Sequence, residues 1–228
     1  MFLTKNDKIK WKKLIIATAL ALLFVGLGVF WLDQPVFLFM RNYNIALWRW
    51  LEIGFSFAVW IAASVIVFAI MFAIDKLLSK DERRKTKNEK MVRLSSFVSR
   101  LSFYVFGAVM AAGAVAAILR FVLGRMRPVF FLALDRTGFY PGTFEWAFNS
   151  MPSGHTAASF AGLVMIGLWV PKWKWATWTL AILIGVSRIC IGAHWPSDVI
   201  LGAFIGMVTA DFVKSALPRM LEKIKFKK

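Results

Sequence analysis

The chain has 228 residues, of which 59% are hydrophobic, 16% aromatic and 18% charged, and it carries a formal net charge of +17. A water-soluble domain of this length cannot hide so much apolar side chain, so composition excludes the soluble classes and points to a bilayer. The positive excess raises nucleic acid as a partner. However, the basic residues are scattered over short segments between apolar runs, where topology and anionic headgroups account for them, and no nucleic-acid partner is expected.

A basic stretch with Lys5, Lys8, Lys10, Lys12 and Lys13 precedes an uncharged run over 14–32. About 20 such residues cross the ~30 Å hydrocarbon core. No small-residue cleavage site precedes Trp31-Leu32-Asp33, so the run reads as a retained anchor rather than a signal peptide. The segment 35–51, rich in Phe and Trp beside Arg41 and Arg49, reads as an interfacial element on the outer leaflet. Uncharged runs over 53–74 and 101–119 predict two further spans, joined by the polar linker 80–90 (KDERRKTKNEK). The runs 156–170, 175–186 and 199–213 are shorter or carry an ionisable edge. One re-entrant segment or fewer helices would explain them. Three full helices are preferred, because each reaches spanning length once its polar flank (152–155, 187–193 and Asp198) is added. Those flanks then share one membrane surface, and polar residues at such depth are usually functional.

The expected fold is therefore all-α, a polytopic six-transmembrane-helix bundle forming a single domain over 1–228. With six spans, the Lys-rich tail, the 75–93 loop, Lys172 and Lys174, and the C-terminal tail from Lys214 onward fall on one side. The positive-inside rule makes that side cytoplasmic and places both termini there. The opposite side holds Arg41, Arg49, Arg120, Arg125, Arg127, Arg136 and Arg188 and no Lys. One cysteine, Cys190, excludes an intramolecular disulfide. Trp31, Trp169, Trp173, Trp175 and Trp195 read as interfacial anchors. Asp211, far along the last span, is expected to pair near Lys214 at the cytoplasmic interface.

Three constellations occupy the outer side: Arg120 with Arg127-Pro128; Pro152-Ser153-Gly154-His155; and Ser187-Arg188 with His194 and Asp198. They bring guanidinium groups, both histidines of the chain, one carboxylate and a Ser-Gly turn at a helix start. The planar guanidinium fork matches phosphate oxygens and stays charged in any environment. A helix N-terminus adds amides and a positive dipole end to the same anion. Phosphoryl transfer needs a nucleophile, a leaving-group acid and charge neutralisation. His194 with Asp198 four residues on supplies an oriented imidazole, with Pro196 suited to the opening turn of the last helix. His155, from another helix, is free to protonate a departing oxygen. Arg125 is open between a phosphate contact and a structural role. Asp135, Arg136 and Glu145 are expected in loop salt bridges.

At these residues the sequence resembles the type 2 phosphatidic acid phosphatase (PAP2) superfamily, whose signature is K-x6-RP, PSGH and SR-x5-H-x3-D in that order. Arg120 stands where the family usually has Lys, keeping the charge but changing a point charge into a fork. The resemblance implies that His194 attacks phosphorus to form a phosphohistidine and that Asp198 orients it. It also implies that His155 serves as general acid and then base. Arg120, Arg127 and Arg188 would clamp the phosphate, with Ser153 and the Gly154 amide completing the cradle. It further implies no metal and no cofactor, and a site facing the periplasm or exterior of a bacterial inner membrane. The substrate would be a membrane lipid phosphate or diphosphate, with undecaprenyl diphosphate first and lipid A 1-phosphate second. A lipid phosphotransferase of the same family would use the same residues, and a phosphate-binding non-enzyme is disfavoured by the intact motifs.

Overall fold

The computed structural model describes residues 1–2, 9–78 and 88–225, with side chains through 216. Lys5, Lys8 and most of the 80–90 linker lie outside these residues. The described residues form helices and turns, with isolated bridges such as that between Arg125 and Phe139.

The first span runs as α1 (Trp11–Leu27), a π-helical turn over Gly28–Leu32 and α2 (Asp33–Met40), continuous to Tyr43. The expected interfacial segment is thus divided. Its first part completes this helix, and its second enters α3 (Ala46–Gly54), which packs against the fifth long apolar run rather than lying free. The second span begins at Phe57, not at residue 53, as α4 (Phe57–Leu78). Ile53 and Gly54 close α3, and the Ser56 hydroxyl accepts from the Val59 amide, so a capping residue restarts the helix there. Next come α5 (Glu89–Leu123), the short α6 (Pro128–Leu134), α7 (Gly154–Trp169), α8 (Lys174–Cys190) and α9 (Pro196–Lys225).

Among the described residues, four helical stretches are long and apolar enough to cross a membrane: Trp11–Tyr43, Phe57–Leu78, Glu89–Leu123 and Pro196–Ala216. With 16 and 17 residues, α7 and α8 rise about 24 and 26 Å. Their expected flanks join them only in part, since 152–153 and 191–193 stay outside the helices. Large apolar side chains such as Ile15, Leu22, Phe30, Ile66 and Ile118 face outward on these helices, the inverse of a soluble surface. The protein is a multi-pass membrane protein.

At the centre, α7 is buried along most of its length and packs against α5, α8 and α9. The contact is made by small residues, Ala108, Ala112 and Ala116 from α5 facing Ala157, Ala158 and Ala161 from α7, all at most 1% exposed. Lipid tails are as apolar as leucine, so close van der Waals packing rather than water exclusion holds such helices together. Gly202 and Gly206 let α9 approach the α7 backbone closely: a Cβ there would sit 2.6 Å from the Ser153 carbonyl and 2.5 Å from the Ala157 carbonyl. This contact sets the first turns of α7 and α9 side by side, and those turns carry His155 and Asp198.

Candidate active site

The motif residues arrive from different elements at one end of the bundle. Arg120 lies one turn before the end of α5, Arg127 caps α6, and Ser153, Gly154 and His155 open α7. Arg188 closes α8, His194 lies in the turn after it, and Asp198 is in the first turn of α9. The 124–127 turn is stitched to the following loop by Met126 N–H to Gly138 O, Arg127 N–H to Ala147 O and Ser150 N–H to Arg125 O. That stitching brings Ser150 to His194.

His194 is 1% exposed, and its Nδ1 lies 2.8 Å from the Ser150 carbonyl. A carbonyl only accepts, so Nδ1 carries the proton and Nε2 the lone pair. Asp198 does not make the direct hydrogen bond expected from the sequence; its Oδ2 is 3.6 Å from Nδ1. Instead it is a hub, accepting from Ser150 Oγ at 2.5 Å, the Trp195 amide at 2.9 Å and Arg125 Nη1 at 2.7 Å. Ser150 thus touches both residues, its hydroxyl on Asp198 and its carbonyl on His194. Burial holds the His194 pKa down at about 3, with Arg127 and Arg188 adding to the effect and Asp198 opposing it, so the ring is neutral at pH 7.

Three guanidinium groups surround the histidines. Arg120 Nε donates to the Pro152 carbonyl at 3.0 Å, across the cis Met151–Pro152 turn. Its Nη2 lies where Gly154 leaves room: a Cβ on residue 154 would meet it at 2.2 Å. Arg127 donates to the carbonyls of Trp146 (2.9 Å) and Ala193 (3.2 Å) and to Asn149 Oδ1 (2.8 Å), and stacks 4.4 Å from the Trp146 ring centre. Burial, with Arg120 and Arg188 nearby, lowers its pKa to about 10, which leaves it a cation at pH 7. Arg188 Nη1 is 2.6 Å from Glu52 Oε1 without hydrogen-bond geometry, and its buried Nε has no hydrogen-bond partner. His155 lies in the field of Arg188, His194, Arg120 and Arg127. Ser153 is fully buried, its amide donating to the Asp198 carbonyl (2.9 Å) and its hydroxyl accepting from Thr156 Oγ1 (2.9 Å) as the cap of α7. The Gly154 amide is one of the helix-terminal donors with no acceptor inside α7. So many buried cations, one with an unpartnered donor, give this end of the bundle the charge and donors that suit a compact anion.

The chain matches the model of the PAP2 superfamily over residues 101–220, which spans every one of these side chains from Arg120 to Asp198. The chain belongs to the PAP2 superfamily. Members of this superfamily are phosphate-ester hydrolases, and the chain is a phosphatase of that class. Among curated relatives, a lipid A 1-phosphatase of Rhizobium etli is 32% identical over 87% of this chain and 81% of its own length. An undecaprenyl-diphosphatase of Sulfolobus acidocaldarius is 43% identical over 25% of this chain and 28% of its own. The solved PAP2-type phosphatidylglycerolphosphate phosphatase of Bacillus subtilis has the same fold, with a TM-score of 0.55, 16% identity and coverage of 91% and 96% of the two chains.

Several PAP2-site partners escaped the sequence reading. Arg125 donates to Asp198, to Ser197 Oγ and to Asp33, and it has no free fork for a substrate. Glu52 stood just past the Phe- and Trp-rich segment, and Asp33 looked like the end of an anchor. Trp195 is not an interfacial anchor: it is 1% exposed, with its indole N–H on the Met126 carbonyl and Phe37 against its ring. Asp211 accepts from the N-terminal ammonium at 3.2 Å and from the Phe2 amide, while Lys214 donates to the Leu168 carbonyl. Among the described residues, Asp135, Arg136 and Glu145 form no ion pair; Asp135 instead closes α6 in a left-handed conformation.

Proposed function

We propose that this PAP2-superfamily protein removes phosphate from a membrane lipid phosphate or diphosphate through a phosphohistidine on His194, without a metal, at the outer face of the membrane. The observation that carries this is the Ser150 carbonyl 2.8 Å from Nδ1, which leaves the Nε2 lone pair as the nucleophile. Nε2 forms the bond to phosphorus as the P–O bond to the lipid breaks, and His155, protonated once the phosphate anion offsets the surrounding cations, gives that proton to the departing oxygen. Water then attacks phosphorus, His155 takes a proton from it, and the N–P bond breaks with its electron pair returning to Nε2. Arg120, Arg127 and Arg188 neutralise the equatorial oxygens, the work a metal does elsewhere, while the Gly154 amide and the start of α7 complete the cradle. The unpartnered Arg188 Nε supports a phosphate contact there. Ser153 serves the cradle as the cap that fixes α7.

The six-span arrangement, with cytoplasmic termini and an outward site, is supported by the Arg-only composition of the site end and the Lys-rich opposite end. A bacterial inner membrane with the site towards the periplasm or exterior suits that arrangement. Lipid A 1-phosphate becomes the first substrate, because the lipid A 1-phosphatase relative matches almost end to end. Undecaprenyl diphosphate is second, supported by a match confined to a quarter of the chain. A wholly apolar groove of about 710 Å³ beside α8, lined by Leu32, Val36, Phe39, Trp48, Val186 and Cys190, offers room for a lipid chain.

The test is phosphate release from a panel of lipid phosphates in detergent with EDTA, by wild type and His194→Ala. Metal-independent release that falls at least about 1000-fold in His194→Ala is expected, on the scale of losing a nucleophile. Release that survives the substitution, or that requires a divalent ion, overturns the mechanism. Transfer of labelled phosphate to an added acceptor lipid in preference to water would make it a phosphotransferase.

A further inference from the structure

Asp33 lies on the first span, outside the 101–220 region that the superfamily model matches, yet it is 3% exposed and tied to the site. Its Oδ2 is 2.6 Å from Arg125 Nη2 and accepts from Ser197 Oγ, and its Oδ1 accepts from the Ser197 amide at 2.9 Å. Arg125 in turn reaches Asp198 Oδ1 through Nη1 at 2.7 Å. One cation therefore sits between two buried carboxylates, and the second of them is the hub beside His194. The backbone is shaped for this contact. The π-helical turn over Gly28–Leu32 precedes Asp33, and a Cβ on Gly28 would meet Ser197 Cβ at 2.7 Å and Asp33 Oδ1 at 3.1 Å.

We infer that Asp33 is a positioning residue for the phosphoryl reaction, acting through Arg125 on Asp198; the inference rests on the phosphatase reading above. With Asp198 alone, Arg125 would neutralise the hub. Shared with Asp33, the trio keeps a net charge of −1 behind the imidazole. When Nε2 bonds to phosphorus, the ring becomes cationic with its proton still on Nδ1, and the retained negative charge stabilises that state at short range in a buried site. Asp33 is buried with its oxygens on Arg125 and Ser197, so its effect falls on turnover and not on binding.

The experiment measures kcat and KM for lipid phosphate release by wild type, Asp33→Asn, Arg125→Gln and the double variant, each in the full chain. Asp33→Asn is expected to lower kcat roughly 10- to 100-fold, the scale on which a group that holds a reacting side chain's partner in place acts, with KM within about twofold. The double variant is expected to be no slower than Arg125→Gln alone, because one chain of contacts is broken twice. Unchanged kcat in Asp33→Asn, a change in KM alone, or strictly additive effects would overturn the assignment. Should Asp33→Asn not fold, Gly28→Ala reports the same link by pushing the first span off Ser197, and it too must lower kcat while sparing KM. No release by wild type itself would overturn the phosphatase reading, and this inference with it. Normal wild-type release with an unaffected Asp33→Asn would overturn this inference alone.

Discussion

His194 combines a buried ring, a backbone acceptor and a depressed pKa, and each has a measurable consequence. The ordinary imidazole pKa is near 6.5, and burial holds it at about 3 in the folded protein. Between those values the unfolded chain binds the extra proton, so this group's contribution to stability is fully present above 6.5 and is lost as pH falls towards 3. At pH 5 the loss is about 2 kcal/mol, from ~1.4 kcal/mol per pH unit. The melting temperature in detergent is expected to fall further between pH 7 and pH 5 for wild type than for His194→Gln, which has nothing to titrate; equal falls would contradict it. The sequence placed Arg120, Arg127 and Arg188 in one outer constellation, and the structure brings the three guanidinium groups together. Arg127 nevertheless spends most of its donors on Trp146, Ala193 and Asn149, a loop contact that spacing along the chain could not reveal.

At the scale of elements, the close approach of α7 and α9 does the positioning. Gly206 has no room for a side chain, with the Ala157 carbonyl, Phe160 Cβ and Ala161 amide all under 3 Å from a Cβ. Gly206→Leu is expected to cost at least about 1–3 kcal/mol by overpacking and to separate Ser153 from Asp198, reducing activity more than binding of α9 to the rest. Unaltered thermal stability and activity would show that the helices can slide apart freely. Hydropathy alone located α4 to within about a turn of its apolar run and the end of α5 likewise, because an uncharged run of spanning length has few alternatives in a membrane, but α5 begins at Glu89, several turns before its run at 101. It misplaced the start of α4, because Gly54 and Ser56 end one helix and begin another inside an unbroken apolar stretch, and capping is a local hydrogen-bond matter that hydropathy does not register.

For the molecule as a whole, charge distribution leads to an orientation that is directly testable. In a Cys190→Ser background, Glu145→Cys lies in the exposed loop beside the site and Lys172→Cys in the exposed turn before α8. A membrane-impermeant maleimide is expected to label the first in intact cells and the second only after permeabilisation. The reverse pattern would turn the site to the cytoplasm. Membrane character, the helical class and the residue types of the site were all present in the sequence, since each depends on composition or on spacing within a few turns. The partners that complete the site were decided only by tertiary structure. Asp33 meets Arg125 across 92 positions and Glu52 meets Arg188 from a separate helix. No periodicity encodes such meetings; they follow from helices packed closely enough by small residues that a buried charge must find its counter-charge wherever the bundle brings one.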